Sequence, residues 1–561
     1  MDTALMTPLD SDQSKVVESF NGARCVISGP GSGKTTTMVA LINALLDSGV
    51  SASDIKAVTF SKEMAETLEK RLRVKGIAST FHSLGYDICS ETERKPVEPE
   101  KRNRLMFKLT RKWGVDYKAL DMFISNARRG VIDPNDAETH AYSLTRAYAE
   151  YERVRAAEGW MDFDSMLRDA VDLLETNPQL RARWQPTFLI VDEAQDTDDL
   201  QWRMMQLMTE KHGNIIVAGD PNQAIYGFRG AKPDNITNFK QWFPSGRYAY
   251  LGRNYRSTQN IVKFIRENAP PDTPKELLDK MVAVREEQGR LIGLKMYWQE
   301  DDEAESALKL AQADPLQSII LARTNRMVGV LERLCNKHGI KYHLLGKTGF
   351  WKQNEVRKAI ERLRIYPKLP VDAACNLVLP QLEAKYAVDD RTERDNDALE
   401  NLQTLRVIGK DFKYAKDFTS YANKMMHRRN DPRGVTISTV HQAKGSEYKN
   451  VYVIGAKANG MPHKNGDPCE EKRIYFVAIS RAIDFLRISF SGTPSPYLRK
   501  YLTDDILDSL RKRAEEVEHL QEQHKLFAEE NTHEVDKKRR ADAHSKLLAR
   551  PDGEMGRLLC H

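Results

Sequence analysis

The sequence predicts an α/β fold, in which short apolar strands lead into polar loops and helices. Three stretches of the chain support this prediction. The apolar residues CVI precede the glycine-rich loop SGPGSGKT, and TTMVALINALLDSG follows with apolar residues at helical spacing. The apolar run FLIV ends in the acids DE, and the strand NIIVAGD leads into PNQAIYGFRGA. Strands that alternate with loops and helices in this manner are typical of α/β proteins.

The glycine-rich loop has the composition of a phosphate-binding loop. Glycines allow successive backbone N–H groups to turn towards one phosphate, and the following helix adds the positive end of its dipole. Lys34 can then reach the β- and γ-phosphates of a nucleotide, and the Thr35 hydroxyl can bind Mg²⁺. The first position is Ser28, where the motif usually has glycine, and Pro30 and Gly31 keep the turn. We therefore predict a nucleoside-triphosphate site here.

Two adjacent acids follow the apolar strand FLIV. The chain leaves the sheet at the carboxyl end of this strand, so that both acids can face one site. Asp192 is suited to hold Mg²⁺ through its water shell, and Glu193 is suited to orient and deprotonate an attacking water. Together with the phosphate loop, this pair favours hydrolysis of a nucleoside triphosphate.

Three further polar residues are candidates for the γ-phosphate end of the site. Gln223 follows the strand NIIVAGD, where its amide can contact the γ-phosphate or the attacking water. Arg256 in LGRNYRSTQN and Arg481 in RIYFVAISRAID are either surface arginines or groups that stabilise charge in the transition state.

Two aromatic residues that flank a glycine follow Gln223. Tyr226, Phe228 and Arg229 form a candidate surface for base stacking with a phosphate contact, and the alternative is that the rings pack in a core. A second polar loop lies between two strands in VTISTVHQAKGSEYKNVYVIG. We expect a site loop there, and its polar residues and glycine are Thr439, His441, Lys444, Gly445 and Glu447.

In chain order, eight segments make the sequence resemble superfamily 1 DNA helicases of the UvrD/Rep/PcrA type. They are GSGKT, AVTFS, TFHSL, VDEAQD, GDPNQAIYGFRGA, NYRST, TVHQAKGSEY and VAISRA. The resemblance extends from Leu9 to about Phe490 and implies two RecA-like P-loop NTPase lobes. Each lobe would be a parallel sheet with helices on both faces, and the nucleotide would lie between the lobes. Mainly helical insertions and a helical C-terminal tail would complete the α/β fold.

The resemblance also implies domain boundaries. The expected parts are a first lobe (1–85 and 173–260), a helical first insertion (86–172), a second lobe (261–370 and 432–500), a reduced second insertion (371–431) and a charged helical tail (501–561). Segments expected in the second lobe are the strand SIILARTN and a helix, EVRKAIERLRIYP, that Pro367 stops.

Residue by residue, the resemblance implies roles for the matched positions. The catalytic residues would be Lys34, Glu193, Gln223, Arg256 and Arg481. The nucleotide would be bound by Gln13, Ser28, Gly29, Pro30, Gly31, Ser32, Gly33, Lys34, Thr35, Thr36, Tyr255 and Glu447. The metal ligands would be Thr35 and Asp192. Single-stranded DNA would be contacted by Phe60, His82, Tyr226, Phe228, Arg229, Thr439 and His441.

One departure from the family concerns the nucleotide base. The family often has an arginine, which stacks on the base, at the position where this chain has Thr36. We therefore expect a nucleotide choice that is looser than strict ATP.

The function implied by the resemblance is that of an ATP-dependent DNA helicase with ATP and Mg²⁺ as cofactors. It would move 3′ to 5′ on single-stranded DNA, unwind duplexes at single-strand/double-strand junctions, and couple hydrolysis to lobe closure. The reduced second insertion leaves open a translocase that does not unwind, or the motor subunit of a nuclease or defence complex. A nucleotide-switched sensor of DNA ends is a third hypothesis. A protein partner is expected to bind through the tail or the second insertion.

Composition excludes several other classes. Hydrophobic residues make up 40% of the 561 residues and charged residues 30%, as in ordinary globular proteins. The six cysteines are scattered without a C-x-x-C pair, which argues against a disulfide framework or a zinc site. The N-terminus lacks a secretory signal and no apolar run is long enough to span a membrane, so we expect a cytoplasmic protein. The net charge of +6 permits a polyanionic partner without requiring one.

Overall fold

Two six-stranded parallel sheets form the frame of the molecule. The computed structural model describes residues 8–128, 130, 132–136, 141–162, 165–227, 230–346, 350–386, 393–427, 431–504, 508 and 512. Its strands are β1 (Ala23–Ser28), β2 (Ile55–Thr59), β3 (Ala78–Thr80), β4 (Lys95–Pro96), β5 (Trp160–Met161), β6 (Phe188–Val191), β7 (Ile215–Gly219), β8 (Arg247–Leu251), β9 (Gly293–Tyr297), β10 (Ser318–Ala322), β11 (Tyr342–Leu344), β12 (Val435–Thr439), β13 (Tyr448–Val453) and β14 (Ala482–Ser491).

Helices connect and cover these strands. They are α1 (Ser11–Glu18), α2 (Lys34–Asp47), α3 (Lys62–Arg71), α4 (Phe81–Ser90), α5 (Pro99–Trp113), α6 (Tyr117–Arg128), α7 (Tyr142–Ala157), α8 (Met166–Thr176), α9 (Pro178–Arg183), α10 (Asp199–Thr209), α11 (Asp234–Thr237), α12 (Phe239–Trp242), α13 (Gln259–Glu267), α14 (Lys275–Lys280), α15 (Glu300–Ala311), α16 (Asn325–Lys337), α17 (Asn354–Leu363), α18 (Val371–Glu383), α19 (Glu393–Gly409), α20 (Ala415–Met426) and α21 (Pro468–Ile479).

The first sheet has the strand order β3-β2-β6-β7-β1-β8. Every residue of β6 and β7 is buried, as expected for parallel strands that are covered by helices on both faces. β1 lies between β7 and β8, with Cys25 opposite Val217 and Tyr248. Because the strands are parallel, the loops after β1, β6, β7 and β8 all leave the same edge of the sheet. The phosphate loop, the two acids and Gln223 therefore meet at that edge.

The second sheet is also parallel and has six strands, in the order β11-β12-β10-β13-β14-β9. All five residues of β10 are buried, as are all five of β12 beside it. The loop 440–447 between β12 and β13, and the junction between α21 and β14, are the parts of this half that approach the first sheet.

The hydrophobic core is continuous between the two sheets. One buried apolar cluster contains Ile27 and Val191 from the first sheet and Leu321 and Val453 from the second. This shared core places the loops of the two halves so that they face each other across a cleft.

The two helical segments outside the sheets have their own packing. Helices α5, α6 and α7 enclose a small core around Met106, Leu120 and Tyr151. Helices α18, α19 and α20 contribute to a cluster that also covers one face of the second sheet, in which Leu379 and Leu405 are fully buried. The predicted helical tail falls outside the described residues except for 501–504, 508 and 512. No helix among the described residues has the length and apolar composition needed to cross a bilayer.

Candidate active site

A cleft of about 480 Å³ opens at the carboxyl edge of the first sheet and is closed on its other side by loops of the second half. Most of the residues predicted for a nucleotide site line it. They are Gln13, Ser28, Gly29, Pro30, Gly31, Ser32, Gly33, Lys34, Thr35, Thr36, Glu193, Gln223, Tyr255, Arg256, Glu447 and Arg481. The remaining predicted residue, Asp192, lies against this cleft through its contacts with Lys34 and Thr35.

The phosphate loop between β1 and α2 requires two of its glycines. Gly31 has φ = 68° and Gly33 has φ = 73°, values that favour residues without a side chain. A Cβ atom on Gly31 would lie 2.9 Å from Cβ of Arg256, and one on Gly33 would lie 2.8 Å from Nε2 of Gln13. The loop thus approaches its neighbours more closely than any other residue would allow, and it presents the first turn of α2 to the cleft.

Neighbouring strands hold the phosphate loop in place. The hydroxyl of Ser28 donates to the carbonyl of Gly219 in β7 at 3.1 Å, so the serine that departs from the motif links β1 to β7. The side-chain amide of Asn254, just after β8, donates to the carbonyl of Pro30 at 2.7 Å. Polar bonds from both adjacent strands therefore fix the loop.

Lys34 lies between the two predicted acids. Its Nζ is 3.0 Å from Oδ1 of Asp192 and 2.5 Å from Oε1 of Glu193. Burial lowers the pKa of Lys34, but the two carboxylates raise it by more, and the net shift is upward. Glu193 has φ = 57°, a left-handed conformation that is uncommon outside glycine, and this turn lets both neighbouring acids face the site.

The two carboxylates differ in their electrostatic surroundings. Burial raises the pKa of Asp192 more than the charge of Lys34 lowers it. Burial also raises the pKa of Glu193, but the charges of Lys34 and Lys444 outweigh it, and the pKa falls to about 2. A triphosphate carries its own negative charge and therefore competes with both acids for Lys34.

Thr35 and Asp192 together fit a Mg²⁺ site. The Thr35 hydroxyl donates to Oδ2 of Asp192 at 3.3 Å, which places two oxygen ligands of the kind that Mg²⁺ prefers side by side. The described residues contain no group of three or more His, Cys, Asp or Glu side chains that could hold a metal ion.

The two predicted arginines both line the cleft. Arg256 follows β8 of the first sheet, and Arg481 precedes β14 of the second sheet. Nη2 of Arg481 donates to Oε1 of Gln223 at 2.8 Å, and Nε2 of Gln223 donates to Asp220 at 2.6 Å. Burial and the neighbouring Arg256 lower the pKa of Arg481 to about 9, and burial raises the pKa of Asp220 to about 6. Arg256 forms an ion pair with Glu447. Both halves of the molecule thus contribute cations to one cleft.

At its other end the cleft contains Gln13 and Tyr255, two of the residues predicted to bind the nucleotide. Nε2 of Gln13 donates to the carbonyl of Ser32 at 3.0 Å. The hydroxyl of Tyr255 donates to Asp10, which also caps α1. These bonds fix Gln13 and Tyr255 beside the phosphate loop.

Sequence reasoning missed Arg71 at this end of the cleft. Arg71 is the last residue of α3, and its Nη2 donates to the hydroxyl of Thr36 at 2.9 Å while it lines the cleft. A guanidinium is thus present beside the position at which the resemblance leads us to expect an arginine, although it comes from another helix. The departure at Thr36 was the signal, but only tertiary packing shows which arginine lies beside it.

Three residues predicted to contact single-stranded DNA meet between the two halves. Phe60 and Tyr226 are stacked, with ring centroids 5.5 Å apart and planes 11° apart, and the ring of His441 is 6.5 Å from that of Tyr226. The Tyr226 hydroxyl donates to the backbone carbonyl of His441 at 3.3 Å. We call Phe60, Tyr226 and His441 the Tyr226 cluster.

The other predicted DNA contacts lie elsewhere or outside the described residues. Thr439 is buried as the last residue of β12, and His82 is partly buried in the first turn of α4. Phe228 and Arg229 lie outside the residues that the structure describes.

Two family models match the chain one after the other. That of the UvrD/REP helicase N-terminal domain matches residues 9–244, and that of the UvrD-like helicase C-terminal domain matches residues 249–383 and 379–493. The chain belongs to the UvrD/Rep helicase family. The residues that the two models match include the phosphate loop, the paired acids and both arginines. The family match therefore extends over both sides of the cleft.

Relatives of this UvrD-family chain match it over most of its length. ATP-dependent DNA helicase PcrA of Staphylococcus epidermidis RP62A is 26% identical over 90% of this chain and 88% of its own length. PcrA of Staphylococcus aureus MRSA252 is 25% identical over 90% and 87%. A solved C-terminal domain of a possible DNA helicase from Lactobacillus plantarum matches 44% of this chain and 92% of its own length at 15% identity, with a TM-score of 0.23.

Proposed function

We propose that this chain is an ATP-dependent DNA helicase that moves 3′ to 5′ along single-stranded DNA and unwinds duplexes. One observation carries the proposal: a single cleft joins Lys34 and Glu193 of the first sheet to Arg481 of the second half. A nucleotide in this cleft would touch both halves, so its hydrolysis can change how they are held together. Membership of the UvrD/Rep family and the similarity to ATP-dependent DNA helicase PcrA support DNA as the track. The direction rests on the resemblance of the eight sequence segments to superfamily 1 helicases.

The geometry supports a division of labour in ATP hydrolysis. The backbone of the phosphate loop and Lys34 bind the β- and γ-phosphates, and Thr35 and Asp192 hold Mg²⁺, which neutralises charge on the phosphate oxygens when bound. Glu193 orients a water molecule and accepts its proton. Arg256 and Arg481 stabilise the negative charge that develops on the transferred phosphoryl group.

Movement along DNA would follow from this division. The domain division implied by the resemblance is part of the proposal, with a first lobe around the first sheet and a second lobe around the second. Arg481 belongs to the second lobe but bonds Gln223 of the first. A γ-phosphate bound by the first lobe would attract this arginine, so its negative charge favours closure of the lobes. The Tyr226 cluster lies where the lobes meet, and its stacked rings offer flat surfaces to bases.

A translocase that does not unwind is a second candidate, and one observation favours it. The described part of the second insertion consists of three helices, α18 to α20, which pack on the second sheet rather than forming a separate body. A motor with so small an insertion could pull single-stranded DNA and leave strand separation to a partner.

Single-stranded DNA is expected to raise the rate of ATP hydrolysis by at least about tenfold, because stacking on the Tyr226 cluster orders both sides of the cleft. The measurement is ATPase activity with oligo(dT), with an RNA of the same length, and with no nucleic acid. Duplexes with a 3′ or a 5′ tail then test direction. Unwinding only from the 5′ tail would refute the polarity, and stimulation without unwinding would favour the second candidate.

Replacement of Arg71 with alanine is expected to raise KM for ATP by about tenfold with kcat nearly unchanged. The side chain bonds Thr36 and lines the cleft, and it is not among the residues that we propose to act on the γ-phosphate. The matched control is Arg73→Ala, which removes a guanidinium that pairs with exposed Asp47 outside the cleft. Equal KM values for the two variants would show that Arg71 does not bind the nucleotide.

A further inference from the structure

A buried ion pair joins the two lobes next to the Tyr226 cluster. Lys444 lies in the loop 440–447 of the second lobe, and its Nζ is 2.7 Å from Oδ1 and 2.6 Å from Oδ2 of Asp196. The side chains are 3% and 0% exposed. Burial raises the pKa of Asp196 to about 6 even though Lys444 opposes this shift. Charges removed from water this completely are stable only as a pair, so each lobe supplies the partner that the other requires.

The same ammonium group faces an aromatic ring. Nζ of Lys444 lies 4.7 Å from the ring centroid of Tyr226, within the range of a cation–π interaction. Tyr226 in turn stacks on Phe60. One charged atom therefore contacts both the acid of the first lobe and the ring on which we propose that bases stack.

Asp196 is rigidly connected to the proposed general base. A single 3₁₀ turn, Ala194–Asp196, follows Glu193, and the backbone N–H of Asp196 donates to the carbonyl of Glu193 at 3.1 Å. Within the turn, the side-chain amide of Gln195 donates to the Glu193 carboxylate. A shift of Asp196 therefore moves the backbone and side-chain contacts of Glu193 as well.

We propose that Lys444 is a positioning residue that transmits the occupancy of the Tyr226 cluster by DNA to Glu193, through its ion pair with Asp196. The proposal rests on the proposed function, since it presumes a DNA-stimulated ATPase. When a base stacks on the cluster, Tyr226 is held in place and Lys444 with it. The ion pair then holds the turn that carries Glu193, and water is oriented for attack. Without DNA the restraint that a stacked base adds to Tyr226 is absent, and Glu193 is oriented less firmly for attack.

The experiment compares the fold-stimulation of ATPase activity by oligo(dT) in four proteins. They are the wild type, Lys444→Met, Asp196→Asn and the double variant. We expect Lys444→Met to lose about tenfold in stimulation, while KM for ATP and the half-saturating oligo(dT) concentration change by less than about threefold. Lys444→Arg is expected to recover part of the stimulation because it keeps the charge. Lys457→Met is the matched control, since Lys457 pairs with Glu300 away from the cleft and the cluster.

The double variant separates a transmitted effect from two local ones. If the ion pair is the link, the double variant loses no more stimulation than the worse single variant, because one link is broken only once. It also buries no unpaired charge, so it serves as the test if Lys444→Met fails to fold.

Several results would overturn the proposal. These are full stimulation of Lys444→Met, losses that multiply in the double variant, and a loss of ATP and DNA binding together, which would indicate a merely structural pair. A wild type that hydrolyses ATP equally fast with and without DNA would refute the proposed function and this inference with it. A stimulated wild type beside an equally stimulated Lys444→Met would refute only the inference.

Discussion

Replacement of Glu193 with glutamine is expected to lower kcat for ATP hydrolysis by about 10³-fold and to leave ATP binding intact. Glutamine has the shape of glutamate but cannot accept a proton from the attacking water. It also lacks the negative charge that holds Lys34 at 2.5 Å, so it competes less with phosphate for this lysine. We therefore expect the Kd for ATP to stay the same or to fall.

Single-turnover hydrolysis measures the expected loss of rate, and the binding of a fluorescent ATP analogue measures the Kd. Glu175→Gln is the matched control, because Glu175 pairs with Arg203 on the surface and lies outside the cleft. A Glu193→Gln variant that turns over ATP at the wild-type rate would show that another group is the base. A variant that no longer binds ATP would show that Glu193 shapes the site rather than the reaction.

Local spacing alone could predict the parts of the site whose residues are adjacent in the chain, and the family resemblance supplied distant residues such as Gln223, Arg256 and Arg481. The phosphate loop and the acids Asp192 and Glu193 each lie at the end of one strand, and local spacing is enough to recognise them. The parallel sheet then brings these separate ends to one edge. Spacing does not show the backbone conformation of Glu193. Its left-handed φ of 57° lets the side chains of Asp192 and Glu193 face the same way.

Particular polar contacts between distant segments could not be predicted from local patterns. Arg71 approaches Thr36 because α3 lies beside α2, and no periodic pattern in either helix indicates that contact. The pair of Lys444 and Asp196 joins positions that lie 248 residues apart, in a loop after β12 and a turn after β6. Apolar periodicity locates strands and helices but contains no information about which polar side chains meet when two sheets share a core.

The fold itself was predicted more completely than the polar contacts. The expected strand SIILARTN is β10, and the helix expected to stop at Pro367 is α17, which ends at Leu363. The strand follows from a local rule, because buried β-branched runs favour strands. The helix was expected at the right place, but it ends four residues before Pro367, and Pro380 lies inside α18, so proline alone does not set helix ends in this chain. The order in which parallel strands lie side by side is set by long-range packing, and β1 between β7 and β8 shows this.

Replacement of Arg481 with lysine is expected to lower kcat by about 10³-fold, even though the charge is retained. The guanidinium makes four bonds at once: its Nε donates to the carbonyl of Val477, Nη1 to that of Ser446, and Nη2 to Gln223 and to the Ser480 hydroxyl. An ammonium group on a flexible stem cannot reproduce this planar fork, so the charge would no longer be directed at the γ-phosphate.

Arg487→Lys is the control for Arg481→Lys. Arg487 lies in β14, which begins just after Arg481, but it bonds the hydroxyl of Tyr297, away from the cleft. Thermal unfolding of both variants measures the cost of the lost backbone bonds, which we expect to be about 1–3 kcal/mol for Arg481→Lys. If kcat falls while ATP binding and folding persist, the arginine acts on the transition state from the second lobe. If kcat stays within about threefold of the wild type, the second lobe contributes no essential charge and hydrolysis cannot depend on lobe closure through this residue.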